Sequence, residues 1–154
     1  MEKTKIEGRA GLEALVGKPL PPGPWHTLTF EEIVAFADAT GDHQWIHVDR
    51  ERTKRESPFG APIAHGYYTL SRIAGLFFEC VEVTGFPAVL NYGLNKVRFP
   101  APLKEGDSYR LVPMIESVTE VKGGLEVVFK NTVEIQGQEK PACVAECVFR
   151  YLLG

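Results

Sequence analysis

Residues Gly41 to Asp49 read GDHQWIHVD and place two histidines, two aspartates and a tryptophan within nine positions. A carboxylate and an imidazole held close together can share one water, the first orienting it and the second taking its proton, or the reverse. Asp42 and His47 flank a short turn in which Ile46 is expected to point inward and Trp45 to shield one side. The residue types also raise metal chemistry, because His43 and His47 have the HxxxH spacing that aligns two imidazoles on one helical face. Gly41 and the β-branched Ile46 and Val48 argue against a helix there, and no thiolate cluster adds ligands, so no metal is expected. A solitary Asp after glycine is usually a turn or cap residue, and a solitary loop His a surface one. The chemical reading rests on the two occurring together beside a second stretch.

That stretch is PIAHG, Pro62 to Gly66. Proline suits a helix start, and the first backbone N–H groups of a helix lack partners within it. They lie at the positive end of the helix dipole, so a carbonyl docked there would be polarised. Gly66 has no Cβ to obstruct its approach. Such a site would be an oxyanion hole, which matters for chemistry passing through an enolate. His65 has two readings, a capping or packing residue or a polar wall of the pocket. Other chemistries find no support: there is no GxxxxGK[ST], GxGxxG or GxSxG, and Gly123-Gly124 falls between strands.

The elements that must hold these residues can be read on either side. Thr29 with Glu32 forms a capping box, and Ile33, Val34, Phe36 and Ala37 give a helical stripe ending near Thr40-Gly41. Arg50 to Pro62 reads as a charged loop. The longest helix is expected over 64–83, with Tyr67, Leu70, Ala74, Phe77, Phe78 and Val81 on its apolar face and Arg72, Glu79 and Glu82 off it. The pattern then turns to period two. Strands are expected over 91–99, 108–116, 125–135 and 142–152, separated by PAPLKEGD, VKGG and QGQEK. One long helix followed by three or four antiparallel strands predicts an α+β fold with the sheet wrapped around the helix. Residues 1–26, with Leu12, Leu15 and Val16 and the breaker GKPLPPGPW, read as an arm on a single domain spanning 1–154.

Bulk composition narrows the partners. The chain has 154 residues, 44% of them hydrophobic and 24% charged, and a net charge of −3 that gives no general attraction to nucleic acid. Cys80, Cys143 and Cys147 are odd in number and lack CxxC spacing, as expected of reduced thiols in a cytoplasmic protein. The segment CVAEC would turn both of its cysteines to one core-facing side. No apolar run approaches the 18 or so residues of a membrane span, and the charged N-terminus is not a secretory signal.

FADATGDHQWIHVD, followed by PFGAPIAHGYYTLS, resembles the hydratase-2 motif of MaoC-like dehydratases, the (R)-specific enoyl-CoA hydratases. Gln44-Trp45 and NYGLNKVRFPAPL resemble the nodulation-protein-N-like branch. The resemblance covers roughly 25–120 directly. It implies a hot-dog fold, a homodimer or dimer of dimers with active sites at the interface, and an acyl-CoA thioester substrate with no separate cofactor. Asp42 and His47 would be the catalytic pair, and the Gly66 amide would receive the thioester carbonyl. Where the wider family often has Asn-Pro, Gln44-Trp45 leaves the spacing of the pair unchanged and alters the acyl pocket, which Trp45, Tyr67, Tyr68 and Phe77 would shape. Lys96 and Arg98 on one strand face, or Arg72, are candidates for the CoA phosphates. The implied reaction is reversible hydration of trans-2-enoyl-CoA to (R)-3-hydroxyacyl-CoA. Thioester hydrolysis and non-catalytic acyl-thioester binding are the alternatives.

Overall fold

The computed structural model describes residues 2–154. The first helical segments form where local signals are complete. Thr29 caps α2 (Phe30–Thr40): its hydroxyl accepts from the Glu32 amide at 3.2 Å and donates to the Glu32 carboxylate at 3.0 Å. Gly41 closes the helix in the left-handed region, at φ 84°, with its N–H on the Ala37 carbonyl. The chain then makes one helical turn, α3 (Trp45–Val48), and a further short helix, α4 (Arg50–Glu56). Both differ from the loop read in the sequence. Asp49 starts α4 by accepting from the Arg52 amide at 2.9 Å, and Arg52 pairs with Glu56 one turn on. One turn is too short for the β-branched Ile46 and Val48 to forbid.

The long helix, α5 (Gly66–Cys80), is shorter at both ends than expected. Val81 leaves it because β3 (Val81–Thr84) is rich in β-branched residues and pairs in parallel with β1 (Thr4–Glu7). The face that α5 buries also differs from the expected stripe. Tyr68, Thr69, Ile73, Leu76, Phe77 and Cys80 are inside, whereas Tyr67 and Phe78 are exposed and Leu70 and Ala74 half-buried. Arg72, expected outside, is half-buried and donates to the Tyr109 hydroxyl at 3.3 Å. The helix is apolar nearly all round, so periodicity did not say which side meets the sheet.

Beneath α5 lies a five-stranded antiparallel sheet in the order β2 (His26–Thr27), β5 (Ser108–Val121), β6 (Gly124–Ile135), β7 (Cys143–Leu152), β4 (Ala88–Arg98). The expected strands are all present, β4, β5 and β6 longer than expected and β7 one residue shorter, with β2 added at one edge. Strand alternation brings Leu111 and Ile115, then Val127 and Phe129, then Ala145 and Phe149 to the helix side, all buried. Phe77 of α5 meets the Phe129 and Phe149 rings edge-on at 4.7 and 5.6 Å. This is an α+β fold in which one long helix is held by a curled antiparallel sheet, the hot-dog arrangement. Cys143 and Cys147 face the helix side with Ala145 between them, and burial raises the Cys143 thiol pKa to about 12. All three cysteines are free.

The N-terminal arm is built into this body. Besides the β1–β3 pairing, α1 (Gly8–Ala14) buries Leu12 completely, and Pro19 bridges to Met114 on β5. Leu12→Ala is expected to cost about 2–5 kcal/mol in urea unfolding, the usual range for emptying a fully buried leucine site. A loss well below about 1 kcal/mol would mean that the arm does not contribute to the core.

Candidate active site

His47 is the buried member of the cluster, 6% exposed, and sits at the end of the α3 turn. Its Nδ1–H donates to the Ile63 carbonyl at 2.7 Å. That bond fixes the tautomer and leaves Nε2 as a free acceptor. Burial lowers the pKa of His47; this desolvation outweighs the hydrogen bond to Ile63 and the attraction of the Asp42 charge, and neighbouring His65 adds to the lowering. The ring is therefore neutral at pH 7 and has a lone pair to offer.

Asp42 follows the Gly41 cap and is exposed. One carboxylate oxygen accepts from the Gln44 amide at 3.3 Å, the turn role that a lone Asp would have at this place. The Asp42 carboxylate and the two imidazoles nevertheless bring their polar atoms within 4.8 Å of one another. No direct hydrogen bond joins Asp42 to His47, and a spacing of this size suits a water between them.

The third member is His65, 4% exposed and N-terminal to α5. It caps nothing with its side chain. Instead its Nε2–H donates to the Asp42 backbone carbonyl at 2.9 Å, and its ring stacks on His47 with centroids 3.8 Å apart at 19°. Phe36 of α2 also packs against the His65 ring, with centroids 5.0 Å apart. Of the two readings in the sequence, packing is the one its contacts match. Asp42, His47 and His65 have the donor types of a metal site, and the near-parallel rings direct their in-plane lone pairs side by side. Each ring spends one nitrogen on a backbone carbonyl, at 2.7 Å for His47 and 2.9 Å for His65, and keeps the other free.

Gly66 is the first residue of α5, so its N–H has no acceptor within the helix. A Cβ there would lie 3.2 Å from the Phe99 ring. The glycine is needed to admit Phe99 against the helix start, a reason not visible in the sequence. The other expected residues fall further away. Trp45 is half-buried beneath the Arg52 guanidinium, 4.2 Å from its ring centroid. Tyr67 is 72% exposed. Lys96 and Arg98 line a groove of about 270 Å³ with Lys130, Glu116 and Glu146. Arg98 pairs with Val144 on β7, whose neighbours Cys143 and Ala145 point to the helix, so this groove lies on the opposite face of the sheet from α5. Arg72 is engaged in the interior, as described. His43, with its bond to Asp38 at 2.9 Å, points into solvent. Sequence reasoning missed Phe99, the Ile63 carbonyl and the double attachment of His65; all three are contacts between segments distant in the chain.

A conserved-sequence profile described as MaoC like domain matches residues 12–137. The chain is 46% identical over 148 residues to 3-hydroxyacyl-thioester dehydratase Z of Mycobacterium tuberculosis, covering 96% of this chain and 97% of that one. It is 38% identical over 147 residues to Nodulation protein N of Rhizobium leguminosarum bv. viciae, with 90% and 88% covered. The R-hydratase PhaJ1 from Pseudomonas aeruginosa superposes with a TM-score of 0.72 at 21% identity, over 90% of this chain and 83% of that one, a likeness of fold. The chain belongs to the MaoC-like dehydratase family, and it is an enzyme of the hydratase–dehydratase class.

The neutral state of His47 has a measurable consequence. Its folded-state pKa lies below the unfolded one, so the unfolded chain takes up the extra proton as pH falls through about 6.5. Stability is therefore lost below that pH and is retained above it. The urea midpoint of the wild type is expected to fall more steeply between pH 7 and 5 than that of His47→Gln. Parallel pH profiles would contradict the assignment.

Proposed function

We propose that the protein is an (R)-specific enoyl-CoA hydratase, adding water reversibly to trans-2-enoyl-CoA to give (R)-3-hydroxyacyl-CoA. The observation that carries this reading is the neutral, tautomer-fixed His47 with its open Nε2 close to the Asp42 carboxylate, held against the first turn of α5. The thioester carbonyl accepts from the Gly66 amide, which draws electron density from the conjugated double bond. A water held between Asp42 and His47 loses a proton to the pair as its oxygen bonds to C3. The enolate then takes a proton at C2 from the pair, and the enzyme returns to its starting state. The name of the M. tuberculosis relative supports a 3-hydroxyacyl thioester as the product or substrate, and the R-hydratase fold neighbour agrees with the hand of addition.

Purified protein is expected to bleach the enoyl absorbance of crotonyl-CoA, and chiral analysis should find the (R) product. Asp42→Asn and His47→Gln should each lower kcat by about 10²–10⁴-fold, the usual share of a general acid or base. Unchanged absorbance with every enoyl-CoA tried would sink the reading. Release of free thiol without hydration would replace it with thioester hydrolysis.

The working form in this proposal is a homodimer. Edge strand β4 exposes Leu90, Tyr92 and Leu94, and the outward side of α5 exposes Tyr67 and Phe78. An apolar surface of this extent on a free monomer is uncommon. Lys96 and Arg98 are the proposed contacts to CoA phosphates, reached when a second copy brings its own strand edge to the site. Sedimentation at micromolar concentration should give twice the chain mass, and Leu90→Glu together with Leu94→Glu should give the monomer. A monomeric wild type with full activity would remove the dimer from the proposal.

A further inference from the structure

A groove of about 320 Å³ runs beside α5, starting one helical turn beyond Gly66. Leu70, Ile73 and Ala74 form its helix side, Leu94 its β4 side, and Cys147 and Phe149 its floor on β7. Apart from Ser71 and Asn91 at its sides, these walls are apolar and suit an acyl chain. The floor has one discordant neighbour. Asn131 on β6 is fully buried, and neither its Oδ1 nor its Nδ2 has a hydrogen-bond partner. It points to the helix side of the sheet, between Phe129 and Val133 and opposite Ala145. Cys147, the partner of Phe129 in the register, is its diagonal neighbour on the same face, within reach of a side chain as long as Asn. The two lie close enough that a weak amide–sulfur interaction, short of hydrogen-bond geometry, opposes the rise that burial imposes on the Cys147 thiol.

A carboxamide stripped of water with both ends unpaired is strongly unfavourable, and Leu would fill the same volume without that penalty. Buried polar groups are almost always satisfied, so an orphan beside a ligand groove points to a partner that arrives with the ligand. Ala145, the smallest side chain on the inner face of its strand, stands directly opposite and offers the amide no polar atom. We propose that the groove beside α5 selects acyl chains bearing a hydroxyl or keto oxygen, which Asn131 binds past Cys147. The amide suits either group, since Nδ2 donates to a carbonyl and Oδ1 accepts from a hydroxyl. This assignment rests on the hydratase reading and adds the chemical class of the acyl chain to it.

The test compares trans-2-octenoyl-CoA with its 8-hydroxy and 7-oxo analogues, and trans-2-hexenoyl-CoA with its 6-hydroxy analogue, in wild type and Asn131→Leu. In at least one pair the wild type is expected to hydrate the oxygenated chain with kcat/KM equal to or above that of the alkyl chain. The variant should lose about tenfold on that oxygenated substrate and stay within about twofold on the alkyl one. It should also have a higher Tm, because an unpaired amide has been removed. Wild-type discrimination of more than tenfold against every oxygenated chain would overturn the proposal without any variant. So would a variant that changes both members of each pair equally, or neither. Crotonyl-CoA turnover by the wild type separates the two failures. Its presence with oxygenated chains rejected sinks only the Asn131 assignment, and no turnover of any enoyl-CoA removes the function and this inference together.

Discussion

The stack of His47 on His65 is the joint on which the site depends. His65 belongs to the start of α5, and His47 to the turn after α2, so one ring-on-ring contact at 3.8 Å couples two helices that share no backbone pairing. Two hydrogen bonds fix it from either side, His47 to the Ile63 carbonyl and His65 to the Asp42 carbonyl. Each histidine thus spends one nitrogen on the backbone of the other's segment. The consequence is geometric: the Asp42 backbone, the His47 ring and the first turn of α5 cannot drift apart without breaking a part-buried hydrogen bond. Preorganisation of this kind is what lets a few polar groups act on a substrate without rearranging first.

The body beneath holds that joint still. Phe77, Phe129 and Phe149 lock α5 onto the centre of the sheet, and the Tyr68 hydroxyl reaches back to the Glu32 carboxylate on α2. Burial and that hydrogen bond push the Tyr68 phenol far above its ordinary pKa, so it stays a donor at any working pH. Arg72 and Tyr109 continue the polar contacts from α5 to β5. The result is a helix fixed at its N-terminal half by polar groups and at its C-terminal half by aromatic packing. Its active end is the more specifically oriented of the two.

Much of this was legible in the sequence where the signal was local. The Thr29 cap, the Gly41 stop and the period-two strands act within a few residues and are present as read, and GDHQWIHVD and PIAHG, singled out as one site, meet in space. What sequence did not reveal depends on contacts across the chain. The rotation of α5 was hidden because its two sides are both apolar, and only the sheet decides which is covered. Arg72 looked solvent-facing because its partner, Tyr109, is 37 residues away. Gly66 was read only as room for a docked carbonyl, and the close approach of Phe99, just after β4, to the side where a Cβ would stand was not visible. A parallel pairing of Thr4–Glu7 with Val81–Thr84 has no local signature at all.

The strand order also sets a sequence of events during synthesis. Strand β4 follows α5 almost directly in the chain, yet it pairs with β7, which emerges from the ribosome some fifty residues later, as Ala88↔Leu152 shows. Until β7 appears, β4 has no neighbour in the sheet and α5 has only part of its cover. Such non-local closure is slow compared with helix formation and leaves apolar surface open in the interval. A nascent chain of this design gains from swift completion or a chaperone's shelter, a demand set by topology and independent of the cluster around His47.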